Sequence, residues 1–325
     1  MTAPAPRERR RTDMQLDFMV VFSNLFGLFL LIAAGAFGVR MKLIKPEASQ
    51  HFTALLLKIT LPCTIFISLV TREYDPSFLR DSLIMLALSL ITYPSLQLIS
   101  TAVCRLLKIP AGKRGIWTFA STYSNNGFMG YPVCLALFGP EGLALAVIFG
   151  IGFNVYVYSI GAMAVASDAG VKADRPSLKK ILFTGVNAAT LLSLLFYFGQ
   201  IPLPKVAVMP LTYLSNVTTP LSMFITGIAL GLSKGSALLS DRDAWTATAM
   251  RLLVCPLLAK LVLTPFPFPN PLILPIVVVT MAMPTPGVTT VLAEAYRGNM
   301  DMAAKVSFIS NLFALVTIPL ICLLL

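Results

Sequence analysis

The amino-acid sequence predicts an all-α polytopic membrane protein of ten transmembrane helices, arranged as two inverted five-helix repeats. Three observations predict it. Apolar residues make up 57% of the 325-residue chain and charged residues only 12%, too little charge to cover a water-soluble fold of this size. The apolar residues fall into runs of about 20, the length that crosses a hydrocarbon core roughly 30 Å thick. The two halves also repeat the same landmarks in the same order, at an offset of about 160 residues.

Taking about 20 apolar residues per crossing places the spans at 18–39, 49–71, 79–103, 115–138, 142–166, 179–199, 208–232, 246–267, 271–296 and 301–325. Residues 1–13 carry Arg7, Arg9, Arg10 and Arg11 and form a polar, disordered tail. Met14 stands directly before the first span and is an alternative start to Met1. The first repeat then covers 14–166, a central polar loop 167–178, and the second repeat 179–325. No connection is long enough for an extramembrane domain.

The landmarks that repeat are specific. Span two reads Ile59-Thr60-Leu61-Pro62-Cys63-Thr64, and span seven reads Val217-Thr218-Thr219-Pro220-Leu221-Ser222. Span three has Pro94 where span eight has Pro256, and spans five and ten carry Asn154 and Asn311 midway along apolar runs. Spans four and nine are each interrupted. An odd number of spans per repeat makes the second half enter from the opposite side, the inverted topology used by secondary transporters.

The interruptions carry the function. Ser124-Asn125-Asn126-Gly127-Phe128-Met129-Gly130-Tyr131-Pro132 breaks span four, and Met283-Pro284-Thr285-Pro286-Gly287 breaks span nine. A helix broken in the bilayer leaves N–H and C=O groups that cost several kcal/mol each unless protein or water satisfies them. Two half-helix N-termini facing a cavity make a positive end suited to an anion. Ser124, Asn125, Asn126, Thr285, Thr289 and Thr290 add polar groups, while Gly127, Pro132, Pro284, Pro286 and Gly287 shape the backbone. One proline kink more often serves packing. Two breaks at matching places in an inverted repeat favour a substrate site.

Lys58 lies four residues before Pro62 inside span two. An intramembrane charge costs on the order of 3 kcal/mol, so it either meets an anionic substrate or snorkels to an interface on its long stem. Lys260 lies nearer a span end and snorkels. Gln97, Asn187 and Asn216 read as amides bonding between helices. Asn154 and Asn311, which accompany the breaks in the repeat, join the candidate site. Gly227-xxx-Gly231 is a close-packing motif and a candidate dimer face.

Several function classes are excluded. His51 is the only histidine, the five cysteines show no metal-ligand spacing, and no phosphate-binding glycine loop occurs. No Asp pair or Ser–His pair lies at membrane depth, so the chain is not read as an enzyme, and no cofactor or metal is expected. The net charge of +11 resides in loops. It reports membrane topology and not nucleic acid, which is not an expected partner. Arg40, Lys42, Lys45, Arg105, Lys108, Lys113, Arg114, Lys172, Arg175, Lys179, Lys180, Lys234, Arg242 and Arg297 fall on one side, which is therefore cytoplasmic. Both termini and the loops with Arg72, Arg80 and Lys205 then lie outside a cell (inner) membrane.

Taken together these residues resemble the auxin efflux carrier family of membrane transporters in its short prokaryotic form. The resemblance is carried by Gly35-Ala36-Phe37-Gly38-Val39-Arg40, by Leu61-Pro62, by the break at 124–132, by Phe138-Gly139 with Glu141-Gly142, and by the break at 284–287. It implies the architecture of the bile-acid sodium symporters. Spans one, two, six and seven form a scaffold, spans three to five and eight to ten a mobile unit, and spans four and nine cross at their breaks. It implies movement of small organic anions, such as auxin, malonate or malate, across the membrane by an elevator-like mechanism, and leans towards a homodimer. The first break reads Asn125-Asn126-Gly127 and not the plant Asn-Pro, and span three offers Gln97 where an acid would stand. Coupling to H+ or Na+ is left open. The competing readings are a sodium-coupled symporter of bile-acid type and a sensor that binds an organic acid without moving it.

Overall fold

The computed structural model describes residues 18–171, 185–233 and 239–325, with the side chains of 18–22 left aside. The N-terminal tail 1–13, Met14 and most of the central loop lie outside the described residues, as do Lys172, Arg175, Lys179, Lys180 and Lys234 of the charge count. The described residues are helical and contain no strand.

Span one is α1 (Phe18–Arg40). Span two is α2 (Ala48–Leu55) and α3 (Leu61–Val70), joined through a widened turn at Leu56–Thr60. Span three is α4 (Ser77–Leu106). Span four divides into α5 (Arg114–Thr122) and, after a widened turn at Asn126–Gly130, the start of α6 (Tyr131–Tyr156). Another widened turn and α7 (Ala162–Ser167) complete span five. Spans six and seven are α8 (Gly185–Phe198) and α9 (Lys205–Leu232). Span eight is α10 (Arg242–Ala249), a widened turn at Met250–Val254, and α11 (Cys255–Leu263). Span nine divides into α12 (Ile273–Met281) and α13 (Val288–Ala295), and span ten is α14 (Met300–Cys322).

Among the described residues, six stretches are long and apolar enough to cross a membrane by length and composition, fewer than the ten spans expected. The differences have local causes. Spans four and five run together as one stretch, Ala111–Ser167, because their junction is a sharp kink and not a loop. Gly139 makes that kink with φ 68°, ψ −165°, a conformation open to glycine but strained for other residues. Span nine is cut into two halves too short to count alone. In α9, Pro210, Pro220 and a polar run around Asn216 dilute the apolar character.

Prolines explain most of the irregularity. A proline lacks the N–H that would bond the carbonyl four residues back, and its ring clashes with that carbonyl. Widened turns stand immediately before Pro62, Pro132 and Pro256, where they absorb the clash. The freed carbonyls then find partners on other spans. Leu90 O, opposite Pro94, accepts from Tyr156 Oη at 3.0 Å. Ala136 O, opposite Pro140, accepts from Asn24 Nδ2 at 2.8 Å. Phe128 O, opposite Pro132, accepts from Ser222 Oγ. Where no water reaches, this is how a broken ladder is tolerated.

Two packing groups result. Helix α1 lies along α9, and α9 and α8 both pack on α3. Helices α4, α5, α6 and α7 pack together and meet α10 to α14, and the two groups touch where α3 lies on α6 and where α14 meets α1 and α9. Gly227 and Gly231 lie against α1: a Cβ on Gly227 would sit 2.0 Å from Ile32 O, and one on Gly231 2.8 Å from Ala36 O. The motif read as a candidate dimer face is thus used within the chain. At one end of the bundle Lys113 bonds Asp241 at 2.8 Å and Asp243 at 3.0 Å. The bond Lys113 donates to Asp241 leads in raising the Lys113 pKa; burial pushes that of Asp241 up, but Lys113 together with the backbone N–H groups of Asp243 and Ala244 outweighs it and leaves it lowered. At the other end Arg72 pairs with Glu141 at 3.2 Å, and Asn270 bridges Glu141 and the buried Asp81.

Candidate functional site

The two interruptions touch. The backbone N–H of Asn125 donates to Pro284 O at 2.8 Å, so each break satisfies one orphan group of the other. The first break starts where α5 ends: Tyr123 turns extended at φ −95°, ψ 136°. Asn125 then caps the next helix, its Oδ1 accepting from Phe128 N at 3.2 Å, while its backbone O accepts from Gly130 N at 2.9 Å. An asparagine cap of this kind is what the orphan N–H groups of a helix start select.

Asn126 is buried and committed to the protein. Its Nδ2 donates to Tyr93 Oη at 2.9 Å, and its Oδ1 accepts from Ser124 Oγ at 2.8 Å. Tyr93 is fully buried and stacked on Tyr123, with ring centroids 5.9 Å apart at 14°. The side-chain N–H₂ of Asn125 carries no hydrogen bond among the described residues, and Asn125 is 7% exposed. It is the uncommitted donor at the first break.

The second break is held from outside. Thr285 N donates to Ser310 Oγ of α14 at 3.2 Å, and Thr285 Oγ1 donates to Ala120 O of α5 at 3.2 Å. Thr289 and Thr290 return their hydroxyls to Pro286 O at 2.7 Å and Gly287 O at 3.0 Å, so their protons face their own helix and not a ligand.

The ends of the half-helices differ in what closes them. The N-terminus of α5 is closed by Asp168, whose carboxylate accepts from Gly115 N at 2.7 Å and Ile116 N at 3.0 Å. Burial pushes the Asp168 carboxyl up, and those amide bonds oppose the rise. At the start of α12, Asn270 Oδ1 accepts from Leu272 N at 3.0 Å. The C-termini of α5 and α12 are closed by one side chain, Arg251. It donates to Thr122 O and to Met281 O, and lies 3.4 Å from Ser121 O. Beside the N-terminal turns of the two second halves, the first of them capped by Asn125, there is open space: Gly127 is half-buried and Gly287 exposed, and a Cβ built on either meets nothing within 4 Å.

Of the expected site residues, the structure gathers Ser124, Asn125, Asn126, Gly127, Pro284, Thr285 and Pro286 at the contact of the breaks, with Pro132, Gly287 and Thr289 in the turns that follow. It does not bring the others there. Lys58 sits exposed in the widened turn of span two, without a polar contact to either break. Asn154 donates to Asn187 Oδ1 at 2.8 Å, and Asn311 returns its amide to Ser307 O at 2.8 Å. The span-ten residue that reaches the break is the neighbour, Ser310.

Sequence reasoning missed Arg251, Tyr93, Asp168 and Ser310. Arg251 had a usable signal, since it is an arginine inside the expected span 246–267. Tyr93 and Ser310 look like ordinary members of apolar runs.

The sequence profile of a family described as membrane transport protein matches residues 20–322. An uncharacterized transporter of Methanothermobacter thermautotrophicus is 27% identical over 305 residues, covering 93% of this chain and 98% of the relative. An uncharacterized transporter of Methanocaldococcus jannaschii is 27% identical over 312 residues, with the same coverage of both chains. The chain belongs to the membrane transport protein family, the auxin efflux carrier family that its sequence resembles.

Proposed function

We propose that the chain is a secondary active or facilitative transporter of small organic anions, mono- or dicarboxylates of the malonate, malate or auxin type. The observation that carries the reading is the open space at Gly127 and Gly287, in the N-terminal turns of two half-helices whose breaks hydrogen-bond each other. Each N-terminus has the equivalent of about half a positive charge, so the pair suits a carboxylate. Asn125 Nδ2 supplies the nearby free donor, and membership of a transporter family supplies the context.

The two packing groups support a division into a scaffold of spans one, two, six and seven and a mobile unit of the rest, related by an inverted repeat and moving as an elevator. The chain would work as a homodimer in the inner membrane, with both termini outside. The test is uptake of labelled acids into proteoliposomes, with neutral and cationic solutes as controls. Saturable uptake of an acid is expected, with affinity weakened roughly 10- to 150-fold in Asn125→Ser, which keeps an oxygen to cap Phe128 N and loses the one Nδ2 hydrogen bond to a charged group. Uptake of only neutral or cationic solutes would contradict the anion reading, and binding without uptake would favour a sensor.

A further inference from the structure

Arg251 is fully buried in the widened turn Met250–Val254, and no carboxylate of the described residues forms a salt bridge with it. A buried unpaired charge is expensive, so something must compensate it. The compensation comes from backbone. One guanidinium nitrogen donates to Thr122 O and the other to Met281 O. These are the last residues of α5 and α12, where the helical hydrogen-bond ladder ends at each break. A helix C-terminus carries the equivalent of about half a negative charge, so two together balance one cation. The second nitrogen also lies 3.7 Å from Met281 Sδ, while Nε is buried without a partner.

Half-helix C-terminal ends and unwound carbonyls are the groups with which broken-helix transporters hold a coupling cation. From this we infer that Arg251 is a resident cation at the crossing of the two interrupted spans. Its guanidinium occupies the carbonyl cage that a transported sodium ion would otherwise fill. Because this charge is covalently attached, it cannot leave with substrate. Substrate movement therefore needs no alkali cation at this place, and Arg251 acts as a positioning residue that keeps both half-helices in register. The inference deepens the transporter reading and rests on it for its consequence in transport, but not for its consequence in stability.

The test uses purified full-length protein in detergent and in proteoliposomes. Wild-type melting temperature and acid uptake should be the same in sodium, potassium and choline salts. Arg251→Ala should melt several degrees lower, and millimolar guanidinium or sodium should recover part of that loss while leaving the wild type unchanged. Arg251→Lys, which keeps the charge, should retain more stability and uptake than Arg251→Gln, which has similar length and no charge. This pair decides the matter if the alanine variant does not fold. A glutamine variant as stable and active as the lysine variant would overturn the inference, as would a wild type whose melting or uptake requires sodium. An alanine variant that folds and responds to no cation would overturn it too. Melting does not depend on knowing the substrate, so failure of the anion assignment leaves the stability result standing.

Discussion

At the first break, part of the hydrogen bonding is local: Asn125 caps the turn that follows and Ser124 donates to Asn126, with Tyr93 and Ser222 reaching in from other spans. At the second break, Thr285 leans on Ser310 and Ala120, 25 and 165 residues away. The difference follows from composition. Pro284 and Pro286 have no N–H to give, so that stretch has few backbone donors, and the hydroxyl of its Thr285 is spent on Ala120 O. The first break is rich in amides. One interruption is therefore built more by local chemistry and the other more by its neighbours, and three links join them into one site: Asn125 N to Pro284 O, Thr285 Oγ1 to Ala120 O, and Arg251 across Thr122 O and Met281 O.

Mutations can probe this contrast, and the largest effect should come at the first break. Asn126→Leu removes an amide that joins Tyr93 and Ser124, leaving two buried hydroxyls without their partner. Each unsatisfied group costs about 1–3 kcal/mol. Thermal melting in detergent should fall clearly, and transport should fall with it through distortion of the break. A variant with unchanged melting would show that the network does not hold the break.

A smaller effect is expected at the second break. Ser310→Ala removes the acceptor for Thr285 N and should cost about 1 kcal/mol, whereas Asn311→Ala, one residue on, should cost less because its amide only bonds its own helix. The reverse order in a melting series would mean that span ten supports the break through Asn311. The smallest effect is expected for Lys58→Met, which keeps the stem of an exposed residue remote from both breaks; stability should stay within about 0.5 kcal/mol. Substrate affinity that drops at low ionic strength in this variant would return Lys58 to the site.

The parts of the fold legible in the sequence are those set by single residues acting on their own backbone. Pro132, Pro284, Pro286 and the glycines announce the two interruptions, since a proline or glycine acts within one turn of itself. The partners of these breaks are a different matter. Tyr156 and Ser222 are chosen by where a proline on another span frees a carbonyl, and no local pattern encodes that pairing. Asn154 and Asn311 fit the repeat but spend their amides elsewhere. Arg251 breaks the apolar pattern outright, yet its meaning depends on Thr122 and Met281 converging on it in three dimensions.

The most direct test of the account is whether substrate reaches both open glycines. Cys63, Cys104, Cys134, Cys255 and Cys322 are free thiols and are first replaced. Gly127→Cys and Gly287→Cys are then made singly, each side chain entering open space. The rate of reaction with a small membrane-permeant maleimide is measured with and without a transported organic acid. The account predicts that both positions react and that the acid slows both. Slowing at neither position, in variants that still transport the acid, would place the substrate away from the crossing.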